Sequence, residues 1–367
     1  MLRRKTPSEW YRNLYIVPIL ISLVGLYFIF EGSSIRALTT YDDSLFFIKR
    51  QAVWFLFGVI SMFILSRFDY RRLYIFAMPS MIFTFITLIA VLIPGIGSKI
   101  NGARRWIDLG PFGFQPAEFA KLSIVLYLSA WFRHREKQRI IAFILLLVGL
   151  AVLIMAQPDM GTAIITIGLA LGIYFIAGID MRQLLWVIPL FVVGALITAS
   201  SATYRLHRLR VLFDSDLDPL GIGYHVRQIM IAIQNGGLLG LGFGGSKQKY
   251  LFLPEAHTDS IFAIFVEEMG FVGAVGLVSL YALLLYYLYR VTMQTRDRFG
   301  FMLSSSILIF FGLQSILNLA AMTRLAPLTG VPLPFMSNGG TNMLISYILI
   351  GISISIARFS RQITPKT

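Results

Sequence analysis

Cysteine is absent from all 367 residues, which removes disulfides and thiolate metal sites and leaves the redox compartment unreadable. Histidine is nearly as scarce: His134, His207, His225 and His257 lack the close pairing of a zinc site. No Walker A, H-E-x-x-H or G-x-S-x-G run occurs. Two motifs that do occur fail on context. Gly240-Leu241-Gly242-Phe243-Gly244-Gly245 satisfies G-x-G-x-x-G but leads into Ser246-Lys247-Gln248-Lys249 instead of opening the helix of a βαβ unit. Asp214-Ser215-Asp216-Leu217-Asp218 starts like an EF-hand loop, yet Pro219 and His225 stand where Gly and a bidentate Glu are required. Acidic residues are few, 18 against 32 Lys and Arg for a net charge of +14. The bases are scattered among loops and form no single patch, so the expected counterion is anionic lipid and no nucleic-acid partner is expected.

What is abundant is apolar surface. At 57% hydrophobic residues and a mean hydropathy of +0.75, the chain exceeds what one soluble core can hide. Its apolar runs approach the roughly 20 residues of a membrane span and lack the alternation of a barrel strand. The expectation is an all-α integral membrane protein, a ten-span helical bundle forming one polytopic domain over residues 1–367. The spans fall near 14–30, 50–66, 73–93, 117–132, 140–156, 162–177, 184–201, 259–290, 300–320 and 340–358. Leu14 to Phe30 has no small-residue cleavage site before Glu31-Gly32 and reads as a retained span. An even number of spans puts both termini on one side. With the N-terminus inside, cytoplasmic pieces carry 18 Lys and Arg against 14 outside, six of the latter in one long loop whose topological vote is weak. That loop, residues 202–258, holds Tyr224, Phe243, Tyr250 and Phe252, and is expected to be extracytoplasmic, ordered and partly re-entrant.

A polar, ionisable cluster, Leu253-Pro254-Glu255-Ala256-His257-Thr258-Asp259-Ser260, runs directly into the eighth span. A carboxylate there either caps the helix, accepting its first free N–H groups, or marks a site, because ionisable groups at membrane depth are costly. The connection after span 3 carries Lys99, Arg104 and Arg105 on the side the positive-inside rule disfavours. They are three solvated bases or an anion site. Glu118 and Lys121 share a helix face three residues apart and can neutralise one another. Asp159, in the short turn Gln157-Pro158-Asp159-Met160-Gly161, either caps span 6 or lies at headgroup depth for another purpose.

His257-Thr258-Asp259 before Ile261-Phe262-Ala263 and Glu267-Glu268-Met269-Gly270, with Leu253-Pro254-Glu255 upstream, resembles the signature of the SEDS proteins (shape, elongation, division and sporulation). Gly102-Ala103-Arg104-Arg105-Trp106-Ile107-Asp108, Phe114-Gln115-Pro116-Ala117-Glu118-Phe119-Ala120-Lys121, Gln157-Pro158-Asp159-Met160-Gly161, Asp218-Pro219-Leu220-Gly221-Ile222-Gly223-Tyr224-His225 and Gly330-Val331-Pro332-Leu333-Pro334-Phe335 extend the likeness along nearly the whole chain. Ala256 after Pro254-Glu255 is nearer the family's division member FtsW, and its sporulation relative, than its elongation member RodA. Two positions depart: Ser260 stands where the family usually has Phe, and Asn338 where it has Tyr.

The resemblance implies a peptidoglycan glycosyltransferase of the bacterial plasma membrane that polymerises lipid II with release of polyprenyl pyrophosphate. Both termini would be cytoplasmic and the site extracytoplasmic. Asp259 is the expected catalytic base. Arg104, Arg105, Arg208 and Arg210 are the expected cations for the leaving pyrophosphate. Glu118, Lys121, Asp159 and His257 complete the expected substrate-binding set. Glu118, Asp159 and Asp259 are the candidates for holding Mg2+ or Mn2+. The expected partners are a class B penicillin-binding protein, supplying the transpeptidase step, and other divisome or elongasome membrane proteins. A flippase of lipid-linked precursor and a non-catalytic scaffold remain open as alternative functions.

Overall fold

The structure, a computed structural model, describes residues 9–100, 102–110, 112–133, 140–178, 211–212 and 218–360. Among them the expected spans appear as α1 (Glu9–Tyr41), α2 (Phe46–Arg67), α3 (Leu73–Ala90), α4 (Pro116–Trp131), α5 (Ile140–Met155), α6 (Met160–Ile176), α8 (Ile261–Gln294), α9 (Arg298–Met322) and α10 (Gly340–Phe359). The span expected at 184–201 lies outside the described residues. Helix α7 (Ile222–Gly236) belongs to the long loop expected at residues 202–258. The chain is therefore a multi-pass helical membrane protein. Among the described residues six helices are long and apolar enough to cross a bilayer, and α5 and α6 are shorter apolar helices.

Burial is inverted relative to a soluble protein. α4, α9 and α10 are buried along most of their length, whereas α2 and α3 turn Ile64, Ile75 and Ile86 outward, as a lipid-facing surface requires. Without a hydrophobic force to join helices in lipid, association rests on close packing and on interhelical hydrogen bonds. Thr84 donates to Ser123 at 2.7 Å to join α3 to α4, and Ser129 and Ser306 lie 3.1 Å apart between α4 and α9.

Three features depart from the sequence expectation. Helix α1 runs eleven residues past Phe30, because Glu31 does not need water: its carboxylate lies 2.5 Å from Lys249 Nζ. The connection after α3 adds a small sheet to the helical bundle, β1 (Gly97–Ile100), β2 (Ala103–Leu109) and β3 (Phe112–Phe114) in antiparallel order β1-β2-β3. Turn formers at Gly102 and Gly110, both at positive φ, close its hairpins. The third is a break in α8 at Gly270, whose φ of 66° is non-helical. There the loop after α7 lies against the helix backbone: Phe271 N donates to Gly237 O at 2.9 Å and Leu241 N to Glu267 O at 3.0 Å. A Cβ at Gly240 would stand 2.0 Å from Glu268 O, so only glycine permits the approach.

Candidate active site

Helix α8 starts at Ile261 with Ser260 as its N-cap residue, and no side-chain oxygen caps its free N–H groups. Asp259 is thus not used as a cap. Its carboxylate accepts from its neighbour Thr258 Oγ1 at 3.2 Å and, among the described residues, forms no ion pair. The Asp259 backbone is fixed instead: Asn318 Nδ2 on α9 donates to its carbonyl at 3.0 Å and to Val331 O at 2.7 Å. Burial pushes the Asp259 pKa above its ordinary value, charge on His225 pulls it down, and Glu255 pushes it up again.

Below Asn318, one helical turn along α9, Gln314 continues the polar line. Its Nε2 donates to Pro332 O at 3.0 Å and Asn342 Oδ1 at 3.1 Å, and its Oε1 accepts from Lys121 Nζ at 3.1 Å. Lys121 in turn pairs with Glu118 at 2.8 Å, both essentially without solvent contact. Among the described residues Glu118 Oε2 has no hydrogen-bond partner. The segment 329–332 joins this pair to Asp259, since a Cβ at Gly330 would sit 3.9 Å from Asp259 Oδ2 and one at Gly161 would clash with Thr329 O at 2.1 Å. Asp159 stands two residues before Gly161. It accepts from Thr162 N at 3.1 Å, capping α6, and from Gln115 Nε2 at 3.3 Å.

The remaining expected residues take other places. Arg105 donates through Nε to Gln157 O at 2.9 Å and through a second guanidinium nitrogen to Pro158 O, so it fastens β2 to the α5–α6 turn instead of standing free for an anion. Arg104 reaches Leu92 O at 3.4 Å. Arg208 and Arg210 lie outside the described residues. The metal expectation does not fit the geometry: Glu118 is spent on Lys121, Asp159 caps α6, and among the described residues no three His, Asp or Glu side chains gather as a metal set.

His257 was expected to meet substrate, but its ring packs on Phe47 at 4.6 Å between centroids and is 4% exposed. Burial pulls its pKa down to about 4, Arg36 adding to the effect and Glu255 opposing it. Between there and the ordinary value of about 6.5 the unfolded chain binds more protons than the folded one. The stability from the neutral ring is therefore complete above about pH 6.5 and is lost as pH falls toward 4. Melting in detergent across that window should show the fall in wild type and a shallower one in His257→Gln; equal slopes would assign the fall to other groups.

Gln115, Gln314 and Asn318 were missed in the sequence. The last two carried a signal, two amides at i and i+4 in a span whose other polar residues are serines. Also missed was the role of Glu267 and Glu268. Glu267 accepts from Ser246 Oγ at 2.5 Å and Asn235 Nδ2 at 3.2 Å, and Glu268 accepts from Gly244 N at 3.1 Å and Ser246 N at 3.2 Å. In the glycine-rich run that mimics a dinucleotide motif, Gly244 N donates to the Glu268 carboxylate, whereas Leu241 N and Gly242 N donate to the backbone carbonyls of Glu267 and Glu268. Asp218 likewise accepts from Gly221 N and Ile222 N at the start of α7.

Comparison with known proteins places this arrangement. Stage V sporulation protein E of Bacillus subtilis is 33% identical over 354 residues, 95% of this chain and 97% of that one. A probable peptidoglycan glycosyltransferase FtsW of Trichlorobacter lovleyi is 34% identical over 360 residues, covering 95% and 93%. Among solved structures, a chain of a peptidoglycan synthase complex that coordinates polymerization and crosslinking superposes with a TM-score of 0.77 at 28% identity, covering 95% and 98%. The rod shape determining protein RodA of Thermus thermophilus gives 0.69 at 27% identity, covering 94% and 95%. The sequence profile of the FtsW/RodA/SpoVE family, described as cell cycle protein, matches residues 11–362, and the chain belongs to that family.

Proposed function

We propose that this chain is a peptidoglycan glycosyltransferase that joins lipid II units into glycan strands. The observation that carries the reading is Asp259: a half-buried carboxylate just before the first turn of α8, with its backbone held by Asn318 and its oxygens used neither for a helix cap nor, among the described residues, for an ion pair. In the proposed step a sugar hydroxyl of one lipid II attacks the anomeric carbon of another. Asp259 takes the hydroxyl proton as the new C–O bond forms, and the old bond to pyrophosphate oxygen breaks with its electron pair leaving on polyprenyl pyrophosphate. A pKa raised by burial suits this role, since a general base works best when its pKa approaches the working pH. Arg208, Arg210 and Arg104 are proposed to meet the developing pyrophosphate charge, and the Glu118–Lys121 pair to set the floor of the site.

The orientation proposed places both termini in the cytoplasm and Asp259 outside. The proposed partner is a class B penicillin-binding protein, supported by the relative solved within a synthase complex. Transfer is distinguished from transport by its product: purified protein in detergent should release one polyprenyl pyrophosphate for each disaccharide joined, and no release would leave a flippase or scaffold. Orientation is read by labelling single cysteines, simple in a chain with none. Cysteine at Arg135 should react only from the cytoplasm and at Lys247 only from outside; reaction of both from one side contradicts the topology.

A further inference from the structure

A serine at an N-cap normally turns its hydroxyl onto a free N–H of the first helical turn. Ser260 does not. Its side chain is fully buried, and its Oγ lies 2.7 Å from His225 Nε2 on α7. The Ser260 hydroxyl beside Asp259 is therefore tied to a second helix instead of capping its own, while the Ser260 carbonyl still accepts from Ala263 N at 3.0 Å. Asn318 holds the Asp259 carbonyl from α9, and Asn338 N holds the His257 carbonyl at 2.9 Å from the segment before α10. α7 supplies the third anchor of the turn.

We propose that His225 is a positioning residue for the transfer reaction, acting on Asp259 through the hydroxyl of Ser260. The proposal rests on Asp259 being the base. Among the described residues the groups around the carboxylate are Glu255 and Thr258 on its own turn, His225 on α7, Asn318 on α9 and the uncharged Gly330 segment. Glu255 is itself paired with Arg36 of α1 at 3.6 Å. Charge on the imidazole therefore opposes both burial and Glu255 in keeping Asp259 ionised. A charged ring must donate its Nε2 hydrogen to Ser260 Oγ, so the bond and the electrostatic effect come from one protonation state. Ser260 and His225 work as a pair, the hydroxyl at a position where the family usually has Phe.

The test uses the full-length purified protein with its penicillin-binding partner and lipid II as the probe. His225→Ala and Ser260→Ala are each expected to lower kcat roughly 10- to 100-fold, the range for losing an orienting contact, with KM near wild type and melting temperatures unchanged. The double variant should be no worse than the worse single one, as for two residues acting as a unit. His225→Gln, which keeps an amide for Ser260 but no charge, should recover most of kcat while moving the acid limb of the pH–rate profile to higher pH. Wild-type kcat in the single variants, multiplying losses in the double one, or an unmoved acid limb in His225→Gln overturns the proposal. If His225→Ala does not fold, Ser260→Ala and His225→Gln carry the same test. Failure of the base assignment is separate: it shows as an active Asp259→Asn, whereas an inactive Asp259→Asn beside fully active His225 and Ser260 variants removes only this inference.

Discussion

Asp259→Asn is expected to give a chain that folds, inserts and binds its partner normally, yet forms glycan about 10² to 10⁴ times more slowly, the usual contribution of a general base. The reason is geometric. The α8 N-terminus draws no bond from this side chain, and the turn is held through the Asp259 carbonyl, which the substitution leaves untouched. An amide of the same size removes the proton acceptor and little else. Asp259→Glu should also be poor, since one methylene shifts the carboxylate by about 1 Å and such a displacement can cost about 10²-fold. Rates are read from purified lipid II, with melting temperature as the control for folding. A loss of activity that follows a loss of folded protein would instead assign Asp259 a structural role.

Lys121→Met is expected to act mainly on stability. It leaves the Glu118 carboxylate buried without its cation, with one oxygen already unpartnered among the described residues, and strips an acceptor bond from Gln314. Breaking a buried pair by removing one partner costs about 3 to 5 kcal/mol. The double change Glu118→Gln with Lys121→Met should recover much of that in thermal unfolding, because no uncompensated charge remains. A double variant as unstable as the single one would mean that the ammonium matters through Gln314 and the 329–332 segment more than through Glu118.

The bundle was legible because each span carries its own signal, an apolar run of membrane length, which needs no knowledge of its neighbours. The Glu118–Lys121 pair was legible for the same local reason, three-residue spacing on one helix. What sequence could not supply was contact between distant stretches. Nothing near Arg105 announces that its guanidinium will close on the carbonyls of Gln157 and Pro158. His257 and Asp259, two residues apart, form one polar cluster in the sequence, but the turn sends the ring against Phe47 on α2 while Asp259 stays half-buried. The sheet at 97–114 was hidden because Gly and Pro punctuation dominated a stretch whose strands are only three to seven residues long. Gln314 and Asn318 were visible as amides in an apolar helix, but their partners, Pro332 O, Val331 O and the Asp259 carbonyl, come from two other parts of the chain.

The most direct measurement is the length of glycan made from purified lipid II by the full-length wild-type protein and by Asp259→Asn, each with its penicillin-binding partner, in detergent where no membrane separates two sides. The account predicts strands of many disaccharides from wild type and unreacted lipid II from Asp259→Asn at matched fold and partner binding. Equal strand formation by both proteins, or none by either while the partner complex is intact, would contradict it.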